Sequence, residues 1–193
     1  MRNSGYSRPA PTGQVRISTS GGGIRDANAA AKNIIASGTL LTAMDGVGTV
    51  ADRLETQVGA IEGAGGSGGF FVDNMGDLDI GNVDGLTMGL AAAGGSINVT
   101  AMGALFVEED VTASGVVHLE TVDSAAAGEN LTVRTTRTIE SVGSLVELVS
   151  GDNLTLEDSS TVLASESIEL TADVPDADPG TGSTVNLFGT LDS

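Results

Sequence analysis

The 193-residue sequence contains no cysteine and no tryptophan, and only one tyrosine and one histidine. Without cysteine the chain forms neither a disulfide nor a thiolate metal site, and it has no thiol nucleophile. No apolar run approaches the roughly 18 residues that a membrane-spanning helix needs, so we expect no insertion into a membrane. Glycine is abundant instead, at 28 residues.

Positive charge is also scarce, and its distribution is uneven. Eight basic residues face 26 acidic ones, which gives a net charge of −18. Residues 1–72 carry a net charge of +1, whereas residues 73–193 carry −19. A surface this negative repels phosphate backbones and anionic lipids, so we expect no nucleic-acid partner. It suits a soluble protein in a medium rich in salt or divalent cations, where counterions screen the repulsion.

From residue 96 onward the chain repeats three short segments in which apolar and polar residues alternate. The first segment of each repeat begins at Ile97, Val117, Val146 and Ile168. The second begins at Leu105, Leu131, Leu154 and Val185, and the third is marked by Val111, Ile139, Val162 and Leu191. The first segments are spaced 20, 29 and 22 residues apart. A base period of about 22 residues with loop insertions explains these values.

Alternation with period two predicts strands that bury one face, and Gly, Ser, Asn and Asp between the segments supply the turns. Three very short strands per coil, stacked coil upon coil, predict an all-β parallel β-solenoid with a slim aliphatic core. An antiparallel sandwich also has many short strands. The recurrent three-part coil favours the solenoid.

The N-terminal half is less regular. Residues 1–13 are predicted to be a disordered or linker segment, and 14–193 a single solenoid whose clearest coils lie in 70–193. Residues 70–86 resemble an earlier coil with Phe71, Leu78, Ile80 and Leu86. The Ala-rich stretch 26–36 could start a short helix. Residues 54–61 fit either a helix capped by Thr49 or a strand, and the residues alone leave both open.

Several runs are similar to a known family. They are Gly46-Val47-Gly48-Thr49, Gly69-Phe70-Phe71-Val72-Asp73-Asn74, Gly76-Asp77-Leu78-Asp79-Ile80 and Gly151-Asp152-Asn153-Leu154-Thr155-Leu156. Over residues 13–193 the chain resembles the filamentous-haemagglutinin-like large repetitive adhesins of Gram-negative bacteria. This resemblance implies a right-handed parallel β-helix and favours a strand over 54–58. It also implies a stalk or adhesive filament on the cell surface or secreted, with a glycan or protein receptor. Because the sequence shows no signal or secretion segment, we expect it to belong to a longer exported protein.

An acidic loop near the C-terminus is a candidate calcium site. Asp173, Asp176 and Asp178, with Gly180 and Gly182, alternate carboxylates with turn residues, and Ca²⁺ favours several oxygen ligands. The EF-hand spacing is absent, so an inserted hydrophilic turn is the simpler interpretation. No other cofactor is expected.

Two further groups of residues contain side chains of the types that act in catalysis or in ligand binding. His118 is predicted to point outward in a column with Asn98, Glu147 and Glu169. Such a column could hold the acid–base pair of a polysaccharide-active β-helix enzyme, but a solvated sheet face is the simpler interpretation. Arg134 and Arg137 could bind an anionic sugar or neutralise nearby acids such as Glu129 and Glu140.

Asn130 and Asn153 precede the second segment of successive coils, and we interpret them as a structural ladder along the axis. The sequence therefore favours a non-enzymatic stalk segment. A polysaccharide-active enzyme and a calcium-stiffened module are the alternatives. The terminal coils would expose unpaired strand edges, so we expect association end to end or with flanking coils.

Overall fold

The computed structural model describes residues 12–85, 89–178, 182 and 184–193. Residues 1–11 of the predicted linker, and Leu86 of the predicted early coil, lie outside the described residues. The described part of the chain folds into strands with a single short 3₁₀ turn at Gly66–Gly68. The strands are β1 Gln14–Thr19, β2 Ile34–Ile35, β3 Gly38–Ala43, β4 Leu54–Gln57, β5 Ala60–Ala64, β6 Phe70–Asn74, β7 Leu78–Ile80, β8 Leu90–Ala92, β9 Ile97–Ala101, β10 Leu105–Val107, β11 Val111–Ala113, β12 Val117–Thr121, β13 Leu131–Val133, β14 Thr138–Ser141, β15 Val146–Ser150, β16 Leu154–Leu156, β17 Thr161–Ala164, β18 Ile168–Ala172, β19 Val185–Leu187 and β20 Thr190–Asp192.

All strand pairs are parallel and join one coil to the next, which confirms the predicted solenoid. Face 1 is a seven-stranded sheet in the order β2-β4-β6-β9-β12-β15-β18, with one strand from each of seven coils. Face 2 consists of β7, β10, β13, β16 and β19, and face 3 of β8, β11, β14, β17 and β20. The longer strands β1, β3 and β5 lead into both of these faces, because β5 pairs with β7 through its first residues and with β8 through its last.

The three apolar columns read from the repeat are paired residue by residue in the structure. On face 1, Val117 pairs with Ile97 and Val146, and Val146 pairs with Ile168. On face 2, Leu131 pairs with Leu105 and Leu154, and Leu154 pairs with Val185. On face 3 the column runs Leu90, Val111, Ile139, Val162, Leu191. Apart from Val185 and Leu191 on the last coil, these side chains meet in one continuous aliphatic core.

The face 1 column continues toward the N-terminus through residues that the repeat did not assign. Single bridges join Ile24 to Val47 and Val47 to Phe70, and Phe70 pairs with Ile97. The predicted early coil included Phe71, which is buried at 6% exposure and pairs with Asn98. The residue in the core column is its neighbour Phe70, which is fully buried and which the sequence did not single out.

A glycine on the neighbouring face makes room for the Phe70 ring. A Cβ added at Gly63 would lie 2.8 Å from Phe70 Cε2 and 2.1 Å from the carbonyl oxygen of Leu41. Any larger residue at position 63 would therefore collide with the ring and the backbone. This opening lets a slim core accept one large aromatic side chain.

Neither of the two helices that the sequence left open near the N-terminus is present among the described residues. Residues 26–36 form a turn followed by β2, and the turn is fixed by Asp26 Oδ1, which accepts from Asn28 N at 2.9 Å and Asn33 Nδ2 at 2.6 Å. Residues 54–57 form β4, so the strand alternative is correct there. Thr49 closes a tight turn with Asp52 rather than capping a helix.

The coils at the two ends are less covered than those between them. Leu156 is fully buried, whereas its partner on the last coil, Leu187, is 51% exposed. At the other end Ile17 of β1 is 38% exposed. The terminal coils have a neighbour on one side, and interior coils have one on both. The hand of the winding stays a prediction, in agreement with the right-handed preference of parallel crossovers.

Candidate functional site

The outer side of the solenoid carries ionic side chains that stack along its axis. Val107, Val133 and Leu156 are consecutive partners on face 2, so the residues that follow them share one column. Arg134 lies between two acids in that column: its Nε donates to Glu108 Oε1 at 2.9 Å and its Nη1 to Glu157 Oε1 at 2.9 Å.

These contacts shift the ionisation of the groups involved. The hydrogen bonds to Glu108 and then to Glu157 raise the pKa of the Arg134 guanidinium. The hydrogen bond from Arg134, followed by that from the Thr135 N–H, lowers the pKa of Glu157. The guanidinium also lies 4.7 Å from the centre of the Phe106 ring, which adds a cation–π contact. Arg134 therefore neutralises nearby acids, as expected, but these are Glu108 and Glu157 and not Glu129 or Glu140.

His118 occupies the predicted outward column on face 1. It pairs with Asn98 on one side and Glu147 on the other, and Glu147 pairs with Glu169. Its Nδ1 lies 2.7 Å from Glu147 Oε2 and its Nε2 lies 3.3 Å from Glu120 Oε2. The imidazole thus bridges two carboxylates, one on its own strand and one on the next coil.

Two other polar ladders run in the same direction. Arg53 Nη1 donates to Asp73 Oδ1 at 2.8 Å and to Thr100 Oγ1 at 2.7 Å, and so joins three coils. Asn153 Nδ2 donates to Asn130 Oδ1 at 3.0 Å, and Asn153 Oδ1 accepts from Thr184 N at 3.2 Å. The two asparagines therefore lie in an axial ladder, as their positions in the repeat suggested.

A cluster of buried carboxylates lies at the corner that follows face 1. Asp123 follows β12, Asp152 follows β15 and Asp173 directly follows β18, so three successive coils place an acid at the same corner. We call Asp123, Glu129, Asp152, Asp173 and Asp178 the acidic pocket. One carboxylate oxygen each from Asp123, Glu129 and Asp152 lies within 4.8 Å of the other two, and the same holds for Asp123, Asp173 and Asp178.

The first three of these residues are almost completely removed from solvent. Asp123 is 8% exposed, Glu129 5% and Asp152 1%. The ion pairs found among the described residues include none of the three. Buried carboxylates at this spacing repel each other, and a bound cation removes that repulsion.

One oxygen of each buried carboxylate is held by a hydrogen bond. Asp152 Oδ2 accepts from the N–H groups of Gly128 and Glu129, the latter at 3.0 Å. Glu129 Oε1 accepts from Ser124 Oγ at 2.6 Å, and Asp123 Oδ2 accepts from Ala177 N. The other oxygens, Asp123 Oδ1, Glu129 Oε2 and Asp152 Oδ1, are buried without a hydrogen-bond partner in the described part of the chain.

The pocket includes two of the three predicted calcium ligands. Asp173 and Asp178 belong to it, whereas Asp176 is exposed and belongs to neither group of closely spaced oxygens. Asp176 lies in the insertion after β18 with a positive φ of 67°, which turns the chain there. Gly180 lies outside the described residues. The sequence prediction missed Asp123, Glu129 and Asp152, which come from earlier coils.

Comparison of the chain with known proteins identifies no relative. No protein-family profile, curated protein or solved structure matches this chain. Among the described residues there is also no helix that is both long and apolar enough to cross a membrane. The fold and the arrangement of its side chains therefore carry the functional interpretation.

Proposed function

We propose that this chain is a non-enzymatic stalk segment of a filamentous-haemagglutinin-like bacterial adhesin, exposed on the cell surface or secreted. The axial arrangement of its outer polar groups supports this role most strongly. Arg53, His118 and Arg134 each bond to acceptors on neighbouring coils. In a stalk these contacts add to the coil-to-coil backbone pairing and resist separation along the axis. A glycan or protein receptor at a host or cell surface is the partner that such a filament would serve.

A stalk is modular, because stability is a sum over coils and their interfaces. Deletion of 117–145 removes one whole coil and joins Val116 to Val146, which keeps every column in register. We expect this variant to remain folded by circular dichroism, with a lower Tm because one interface is lost. Deletion of 117–130 is the control, since it removes the face 1 strand without the rest of the coil. We expect the control to unfold, and equal unfolding of both variants would contradict the modular role.

The exposed end of the solenoid is the place for contact with another coil. Val185, Leu187 and Leu191 on the last coil are 39%, 51% and 40% exposed, although their columns are buried in the preceding coil. A further coil stacked there would cover these side chains and pair the free edge. The 193-residue chain should therefore associate end to end as its concentration rises. Light scattering measures this, and Val185→Lys should abolish it; a strict monomer at high concentration would contradict it.

A second candidate function rests on the His118 cluster. An imidazole 2.7 Å from one carboxylate and 3.3 Å from another has the groups of a general acid–base pair. The corresponding activity is cleavage of a polysaccharide along face 1. The chain would then cleave acidic polysaccharides, His118→Ala would abolish this turnover, and Arg134→Ala on face 2 would leave it intact. That combination of results would favour the enzyme. Absence of turnover, or turnover unaffected by His118→Ala, would remove this candidate.

A further inference from the structure

We infer that the acidic pocket is a Ca²⁺ site that ties successive coils together. Its centre is the buried triad Asp123, Glu129 and Asp152, with Asp173 and Asp178 on the side toward the last coil. The inference concerns an ion site and stands whether or not the chain acts as a stalk.

The distances within the triad fit a shared ion. Protein oxygens coordinate Ca²⁺ at about 2.3–2.6 Å, so two ligands of one ion are separated by no more than about 5 Å. The triad oxygens lie within 4.8 Å of one another. The three atoms can therefore bind the same cation with small adjustments.

The orientation of the carboxylates also points to a ligand. Each one has an oxygen held by the chain, through Gly128 and Glu129 N–H, Ser124 Oγ or Ala177 N–H. The opposite oxygen is buried without a partner. Outer contacts of this kind orient the inner ligands of metal sites. A buried ionised carboxylate without a partner is costly, and a divalent cation removes that cost.

The ligand chemistry selects the ion. All the candidate ligands are carboxylate oxygens, and neither His nor Cys takes part, which disfavours Zn²⁺ and other softer metals. Mg²⁺ demands near-ideal octahedral geometry and keeps several waters, whereas Ca²⁺ accepts irregular sites with many carboxylates. The additional acids Asp173 and Asp178 favour the larger ion.

The site joins three coils. Asp123 and Glu129 belong to the coil of β12, Asp152 to that of β15, and Asp173 and Asp178 follow β18. A bound ion would hold the long loop 122–130 and the insertion after β18 against the corner between them. Removal of calcium should loosen this region first.

The test is calorimetric titration of the full chain with CaCl₂ after removal of divalent ions with EDTA. We expect saturable binding, weaker binding of Mg²⁺, and a rise in Tm of roughly 5–10 °C at about 100 times the Kd. Asp152→Asn should weaken binding at least tenfold, and Asp176→Asn, the exposed acid of the same region, should leave the Kd unchanged. In EDTA, Asp152→Asn should melt above the unsubstituted chain because it relieves repulsion. Asp123→Asn repeats the test if Asp152→Asn does not fold.

Three results would overturn the inference. The first is identical melting of the unsubstituted chain in calcium and in EDTA. The second is equal loss of affinity in Asp152→Asn and Asp176→Asn, which would indicate diffuse screening of the acidic surface. The third is binding of Mg²⁺ as tight as that of Ca²⁺.

Discussion

Truncation of the same core column in two neighbouring coils tests how the stacking stabilises the protein. Leu156 on β16 and Leu187 on β19 are direct partners in one column of face 2. Leu156 is fully buried between two coils, and Leu187 is 51% exposed on the last coil. Replacing each by alanine removes the same atoms, in one case from a fully buried site and in the other from a half-exposed site.

The expected costs differ severalfold. Leu156→Ala leaves a closed cavity, so we expect a loss of about 2–5 kcal/mol in the free energy of unfolding. Full burial of a leucine contributes about 1.5–3 kcal/mol. Leu187 gains about half of that, and solvent fills the space after truncation, so Leu187→Ala should cost about 0.5–1.5 kcal/mol.

Urea denaturation followed by far-ultraviolet circular dichroism gives both values, because the chain lacks tryptophan for fluorescence. The slope of the unfolding free energy with urea should stay the same in both variants, so that the midpoint reports stability. Low protein concentration keeps the ends of separate chains apart. Thr155→Ala, on the outer side of the same strand, is the control and should have little effect. Equal losses at positions 156 and 187 would refute the stacked core.

Glu62 is 1% exposed and burial raises its pKa, so it favours the folded state when protonated and loses that contribution as pH rises through its elevated pKa. Glu62→Gln should therefore raise the Tm near pH 7, and the gain should vanish below the ordinary pKa of 4.5. A gain that persists at low pH would contradict this. The pKa of Glu157 is lowered, so its contribution to the free energy of unfolding is present above pH 4.5 and is lost as the pH falls through its lowered pKa. When thermal melts at about pH 6 and about pH 2 are compared, the Tm of Glu157→Gln should therefore fall less than that of the unsubstituted chain. An equal or larger fall would contradict this. A Cβ at Gly48, where φ is 61°, would lie 2.3 Å from the carbonyl oxygen of Phe71, whereas one at Gly76, with φ 96°, meets nothing within 4 Å. Gly48→Ala should cost about 2–5 kcal/mol and Gly76→Ala about 1–2 kcal/mol in urea denaturation, and equal costs would contradict the close approach.

The columns were readable from the sequence because each interior strand buries one side only. Alternation at Val117, Leu131 and Ile139 predicts which residues point inward, and the recurrence of the three segments in the same order in each coil predicts their partners. The same logic gives no answer at Phe70 and Phe71. There the run Phe-Phe-Val is continuously apolar and has no period, so the sequence did not identify Phe70 as the residue in the core column.

The acidic pocket was only partly predictable. Asp173 and Asp178 stood out because they lie close together in a turn-rich insertion. Asp123 and Asp152 lie far away in sequence, yet each follows the first segment of its coil by the same number of residues. Alignment of the corners as well as the strands would have brought them together. Glu129 enters the pocket through the folding of the loop 122–130, which no repeat pattern specifies.

The central claim is that successive coils stack as one rod, and distances between spin labels test it most directly. Because the chain has no cysteine of its own, a thiol-reactive spin label attaches only at cysteines that are introduced by substitution. Glu55 and Thr171 lie five strands apart in one outer column of face 1, and Asn98 and Glu169 lie three strands apart in another. At about 4.8 Å per coil, backbone separations should be about 24 Å for Glu55→Cys with Thr171→Cys and about 14 Å for Asn98→Cys with Glu169→Cys. Distances that do not increase with the number of intervening coils would contradict the rod and the function built on it.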